Sequence, residues 1–294
     1  MNYMDQAQVE KRMKRRVTTN KMMRKLFLGS TLFGLIVLAI LIFRVLYQGI
    51  AWIDWNFLTG TLSTNFENAG IMGAILGTLW LMLVVIIVTL AIGIGAAIYL
   101  ELYAKKGKLQ ELIQTNIANL AGVPSIVYGI LGLTLFVRLM EMGSTVLAGG
   151  LTMSLLVLPI IIVASQEALR AVPGFLSEAS YGMGATKWQT VQNIILPTAI
   201  PSILTGAILA LSRAIGETAP LVVIGIPALL IPFPGGLTDR FTALPMQIYY
   251  WTLDASLTSE YANLAAATII ILLLLLFILN STAIIIRNKY QQRF

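Results

Sequence analysis

Hydrophobic residues in this chain gather in long runs divided by short polar stretches. Six runs stand out: 26–47, 70–100, 117–140, 146–165, 194–226 and 262–286. An α-helix needs about 20 apolar residues to cross bilayer hydrocarbon. Continuous runs of this length do not suit a membrane barrel, whose strands are short and alternate in polarity. The pattern therefore predicts an all-α integral membrane protein with six transmembrane helices. Runs two and five exceed what a bilayer needs, so each should tilt, bend or project. Run two also holds Gly70, Gly73, Gly77, Gly93 and Gly95, a small-residue pattern that lets helices pack closely. The organisation that follows is a basic tail (1–25), a first helix (26–47), an outer loop (48–69), a main transmembrane domain (70–286) containing a polar loop at 166–193, and a short second tail (287–294).

Composition supports the same class. Hydrophobic residues make up 57% of the chain and charged residues 11%, with a mean hydropathy of +0.84. A soluble domain carries roughly 25% charged residues, so this chain lacks the polar surface to cover a globule in water. Cysteine and histidine are both absent. Their absence removes disulfides, thiolate nucleophiles and His-based metal sites, and no metal is expected. With no cluster of carboxylates either, an enzyme is disfavoured.

A formal charge of +7 would suggest nucleic acid as a partner for a soluble protein. Its distribution points to the membrane surface instead, and no nucleic acid is expected. Lys11, Arg12, Lys14, Arg15, Arg16, Lys21, Arg24 and Lys25 face only Asp5 and Glu10 in the first 25 residues. A basic block before an apolar run is a cytoplasmic retention signal. The competing reading is a signal peptide, but run 26–47 is longer than such a peptide's apolar core and no clear small-x-small site follows. An N-terminus inside places sixteen of the twenty basic residues on the cytoplasmic side, adding Lys105, Lys106, Lys108, Arg170, Lys187, Arg287, Lys289 and Arg293 to the tail. Arg44, Arg138, Arg213 and Arg240 remain. The expected topology is N-in and C-in.

That topology puts 166–193 in the cytoplasm. Pro173-Gly174 should break the chain after run four, a short helix should run from about 175 to 182, and Gly184 allows a turn. Trp188 and Val191 are expected to pack the loop back toward the membrane. Pro197 and Pro201 mark the entry into run five, where a first-turn proline is tolerated. On the other side, loop 48–69 carries Asp54 and Glu67 with an interfacial pair, Trp52 and Trp55. Loop 227–261 is rich in breakers (Pro227, Pro232, Pro234, Gly235, Gly236, Pro245) and carries Tyr249, Tyr250 and Trp251. A re-entrant element, a docking surface for an extracytoplasmic partner and a plain interfacial anchor all fit it.

Run five contains Ser212-Arg213-Ala214-Ile215-Gly216-Glu217-Thr218-Ala219-Pro220-Leu221. Arg213 and Glu217 are four apart, which predicts one helical face. Each charge costs about 2.5–3.5 kcal/mol at a bilayer centre. A self-neutralising ion pair explains the pairing but not Gly216 and Pro220, which weaken the helix, nor the hydroxyls of Ser212 and Thr218. The favoured reading is a segment lining a polar route. A guanidinium offers a planar fork of donors to phosphate-like oxygens, and a carboxylate can only accept, so Glu217 suits a protonated oxyanion.

Two stretches carry a family resemblance. Glu178-Ala179-Ser180, then Gly184, then Ile194-x-Leu196-Pro197 resembles the EAA loop of ABC importer permeases, with Ser180 in the third small position. The competing reading is an ordinary amphipathic surface helix. The resemblance implies that Glu178, Ala179, Gly184, Leu196 and Pro197 belong to a coupling loop docking into an ATPase. The tract 212–221 is similar to the PstA-type permeases of phosphate-specific ABC importers, as is Phe241-Thr242-Ala243-Leu244-Pro245. What this implies is a type-1 ABC importer permease fold over about 70–285 in a prokaryotic plasma (inner) membrane. It also implies inorganic phosphate as the solute, a heterodimer with a PstC-like permease, a PstB-like ATPase dimer below and a PstS-like phosphate-binding protein above. ATP and Mg would be bound by the ATPase, since this chain has no Gly-x-x-x-x-Gly-Lys-[Ser/Thr] loop, and no cofactor is expected here. The competing functions are an ABC permease for another solute, an ion-coupled secondary transporter and a non-transporting membrane scaffold.

Overall fold

A computed structural model of the chain describes residues 6–63, 65–227 and 233–290. Asp5, Pro232 and Arg293, named above, lie outside the described residues. The chain divides into two compact units, 1–48 and 49–294. The first is one uninterrupted helix, α1 (Gln6–Gly49). At 1.5 Å per residue its 44 residues extend about 66 Å, twice the ~30 Å of bilayer hydrocarbon. The basic residues of 6–25 are thus helical and continuous with the apolar run that follows them. Lys, Arg, Met and Gln are all good helix formers, so the charge pattern that marks a membrane boundary does not mark a helix boundary.

The second unit is all-helical among the described residues. It runs through α2 (Trp55–Thr59), α3 (Met72–Tyr103), α4 (Lys108–Leu120), α5 (Ser125–Leu139), α6 (Val146–Arg170), α7 (Gly174–Gly182), α8 (Lys187–Ile215), α9 (Ala219–Val223), α10 (Leu244–Asp254) and α11 (Glu260–Tyr290). Among the described residues, five helices are long and apolar enough to cross a membrane, or six if α4 and α5 count as one bent span.

Two predicted runs are corrected. Run 117–140 is not one straight helix: α4 ends at Leu120, α5 starts at Ser125, and the two meet at 101°. Pro124 cannot continue a helix and disfavours helical geometry at Val123 before it, and Gly122 precedes both. Run 194–226 also divides. Its helix begins earlier, at Lys187, and ends at Ile215, with 216–218 between it and α9. Within α8 a π-turn (Val191–Ile195) sits just before Pro197. Proline lacks the N–H for a normal helical bond and clashes with the preceding turn, and a widened turn relieves both.

The interior of this unit is built on α3 and α6, which share a cluster containing Leu81, Val85, Met153, Val157 and Ile161 with Ala207, Ala210 and Ala214 of α8. The outer segment completes it. Phe241 to Gln247 are buried without exception, and a Cβ on Gly77 would overlap the Thr242 carbonyl oxygen. Asp239 and Leu237 carbonyls accept from the N–H groups of Val146 and Leu147 at 3.0 and 2.8 Å. The first turn of α6, whose donors have no partner within the helix, is closed in this way. Of the expected interfacial pair, Trp55 is exposed while Trp52 packs against Phe66, ring centroids 6.5 Å apart.

Candidate functional site

Two regions hold the predicted site residues. The first is 171–197. Helix α7 follows Pro173 and ends at Gly182, with Met183 as its cap residue, after which Gly184 adopts φ +83°. Gly184 N–H donates to Tyr181 O at 2.9 Å and Ala185 N–H to Ser180 O at 3.2 Å. These are the paired reverse bonds of a left-handed helix cap, a position that favours glycine because a side chain is strained there. The six-residue step from Glu178 to Gly184 is therefore the length of the helix from its acid to its cap.

Helix α7 buries none of its residues. Glu178, Ala179 and Gly184 are exposed, and so are the large side chains of Phe175, Tyr181, Met183 and Trp188. Trp188 does not pack inward as expected, whereas Val191 does, at 1% exposure. The structure also separates the predicted coupling set. Leu196 packs against the interior cluster of Leu100, Leu169, Val191 and Ile195, and Pro197, partly buried, lies within α8. Ser180 has a use that alanine would lack: its hydroxyl is 2.9 Å from that of buried Thr190.

The second region is the end of α8. Gly216 N–H reaches Arg213 O at 3.3 Å and Glu217 N–H reaches Ala214 O at 3.1 Å, which closes the helix. Glu217 thus sits in the break beyond the helix rather than on its face. The pair still meets, with Arg213 Nε 3.5 Å from Glu217 Oε1. That is long for a hydrogen bond. The Arg213 side chain is 62% exposed and that of Glu217 17%, so the guanidinium has free donors. Thr218 precedes α9 without capping it through its side chain. Pro220 is buried, close to where a Cβ on Gly129 of α5 would stand.

Ser212 donates to Ile208 O at 2.6 Å and lies 2.7 Å from Asn280 Oδ1 of α11. Asn280 stands beside the predicted set and sequence reasoning missed it, although an amide inside the Leu/Ile run of α11 was a visible signal. Seven residues along each helix, Arg287 Nη1 stands 3.4 Å from Thr205 Oγ1. The steps 205 to 212 and 280 to 287 are two helical turns each, so α8 and α11 run antiparallel with two polar contacts in register. The predicted set Ser212, Arg213, Glu217 and Thr218 comes together at one helix end, joined by Asn280.

The family described as binding-protein-dependent transport system inner membrane component matches residues 90–291. The chain belongs to that family. Among its relatives, a probable ABC transporter permease protein YqgI of Bacillus subtilis is 34% identical over 201 residues, covering 66% of this chain and 68% of that one. A phosphate transport system permease protein PstA of Yersinia pestis is 33% identical over 249 residues, 84% of this chain and 83% of the relative. Solved structures agree on the fold. A chain of a bacterial alginate ABC transporter has a TM-score of 0.63 at 16% identity, covering 92% of this chain and 94% of that chain. A chain of the MetNI methionine ABC transporter scores 0.58 at 19% identity, covering 74% and 94%.

The permease is thus a multi-pass inner-membrane protein with the type-1 ABC importer fold. Membership of the family implies an ATPase and a solute-binding protein as partners. Matched residues 90–291 take in the α7 segment and the end of α8 alike, while α1 and the outer segment 49–71 lie before the match.

Proposed function

We propose that this permease carries inorganic phosphate inward, and that Arg213 is its anion contact. The observation that carries this is the helix end at 213–218. An exposed guanidinium stands at a break in a membrane helix, loosely paired with a half-buried carboxylate and flanked by the Ser212–Asn280 contact. The relatives named phosphate transport permeases support the choice of solute. A loosely paired cation suits a conduit, because an anion held too tightly would not leave. Glu217 accepts from a protonated phosphate oxygen and disfavours fully ionised anions such as sulfate. Thr218 adds a hydroxyl at the same break.

In this reading the partners are a PstC-like permease as heterodimer mate, a PstB-like ATPase dimer that binds ATP and Mg, and a PstS-like phosphate-binding protein. Exposed α7, with Glu178, Ala179 and Gly184, meets the ATPase, and Leu196 and Pro197 anchor the helix behind it. Both termini face the cytoplasm, supported by sixteen of twenty basic residues on that side; a reporter fused near residue 240 that reads cytoplasm refutes this orientation.

The test is uptake of labelled phosphate by the reconstituted importer, measured beside complex yield. Arg213→Gln should assemble and lose uptake. Glu217→Gln should assemble and change the pH dependence of uptake or the rejection of sulfate. A purely structural pair predicts the opposite: each single variant fails to assemble and the double leucine variant recovers. A transporting Arg213→Leu, Glu217→Leu protein overturns the assignment.

A further inference from the structure

Helix α7 has no fully buried residue, and its side-chain hydrogen bond to the interior is the single contact of Ser180 with Thr190. A push on it leaves also through the points where the ends of segment 171–186 are tethered. The residue just before the segment is Arg170, and the residue just after it is Lys187. Both reach the same place. Arg170 Nη2 is 2.9 Å from Glu101 Oε2, with Nη1 2.9 Å from Glu167 Oε1. Lys187 Nζ stands 4.6 Å from the centroid of the Tyr103 ring, within the range of a cation–π contact.

Glu101 and Tyr103 belong to one five-residue π-turn, Tyr99–Tyr103, that ends α3. A π-turn holds one more residue than an α-turn and is a place where a helix can change register. This one is gripped on its other sides as well. Leu100 O accepts from Gln110 Nε2 of α4 at 2.9 Å. The Leu100 side chain is buried among Leu169, Val191 and Ile195, which flank the α7 segment on both sides. Glu101 is only 20% exposed, so its pairing with Arg170 is less screened than a surface ion pair.

We propose that the Tyr99–Tyr103 turn is the fixed bracket through which movement of α7 is passed to α3, with Glu101 and Tyr103 as positioning residues holding the two ends of the segment. The proposal rests on the reading of α7 as the ATPase contact. Glu101 holds the entry to the segment by charge, and Tyr103 holds its exit by the face of its ring. Because α3 shares the interior cluster with α6 and α8, a displacement delivered at this turn reaches α8, which carries Arg213.

The experiment uses the complete importer in proteoliposomes and reads ATP hydrolysed per phosphate imported. Glu101→Gln with Tyr103→Leu should raise that ratio about tenfold, the size of a typical coupling between sites. Tyr103→Phe, which keeps the ring, should leave it unchanged. The exchanged pair Glu101→Arg, Arg170→Glu, made with Glu167→Gln to remove the second carboxylate beside residue 170, should restore the ratio that either single change spoils. An unchanged ratio in the double variant overturns the bracket. Should that variant fail to assemble, the exchanged pair decides: coupled supports the bracket, assembled but uncoupled overturns it. Gly184→Trp, which disturbs only the α7 cap, separates the two ideas. If it uncouples while the double variant does not, the bracket alone is wrong; if it has no effect, the reading of α7 is wrong.

Discussion

Helix α7 and the outer segment 241–247 are opposites built from similar residues. Both carry aromatic and aliphatic side chains with few charges. Phe241, Leu244 and Met246 are wholly buried, whereas Phe175, Tyr181 and Met183 stand 45–89% exposed. The outer segment spends its apolar residues on its own chain, closing the space between α3 and α6. Helix α7 keeps them outside, on a short helix between the long helices α6 and α8. On the function proposed above, a partner covers the exposed apolar groups of α7, and the contrast then tells apart what folds this permease from what connects it.

The largest expected effect breaks the buried side of that contrast. Gly77→Leu would force a side chain into the Thr242 carbonyl and the Phe241 ring, where backbone cannot yield cheaply. Overpacking costs about 1–3 kcal/mol and sometimes more, and a backbone neighbour puts this case at the high end. Little folded protein should be recovered after mild solubilisation. Normal yield and melting would show that the outer segment is not seated as described.

The next effect breaks the exposed side and should strain only the α7 cap, leaving the interior packed. Glu178→Arg and Gly184→Trp meet no neighbour within this chain: Glu178 is exposed, and a Cβ on Gly184 touches nothing within 4 Å. Tryptophan at a positive φ strains the cap, at a cost of about 1–3 kcal/mol. Membrane levels should hold while phosphate uptake falls at least tenfold and the ATPase co-purifies poorly. Uptake at the original rate with stoichiometric ATPase would remove α7 as the contact.

Sequence reasoning read the exposed side better than the buried one, for physical reasons. The limits of α7 rest on Pro173, Gly174 and Gly184, whose effects are local and visible in one dimension. The end of α8 was half legible. Gly216 and Pro220 announced a weak helix, but the place of Pro220 beside Gly129 of α5 is a contact between segments far apart in the chain. Asn280 was missed because its partner, Ser212, lies 68 residues away. The break at 121–124 was averaged out by hydropathy, although Gly122 and Pro124 were in view. Burial of 241–247 has no signal in periodicity, since it follows from where α3 and α6 stand.

The smallest effect sharpens the contrast by crossing it. Tyr250 follows the buried segment and donates its hydroxyl to Ile226 O at 2.8 Å, and Ile226 is fully buried. Tyr250→Phe leaves that carbonyl without this donor, which costs about 1–2 kcal/mol. Thermal melting of the purified importer should shift down by a few degrees, with the ATPase binding as before. Phe175→Ala should do the reverse. Its ring is 65% exposed, so stability should move by no more than about 0.5 kcal/mol. Yet if the ring enters an ATPase cleft as an interface anchor, losing it should weaken binding by about tenfold. Melting and ATPase titration on the two variants give four readings, and the contrast requires each variant to move one and spare the other. A Phe175→Ala protein that melts early and binds its ATPase normally would mean that α7 packs on its own chain, which would end the distinction between the two regions.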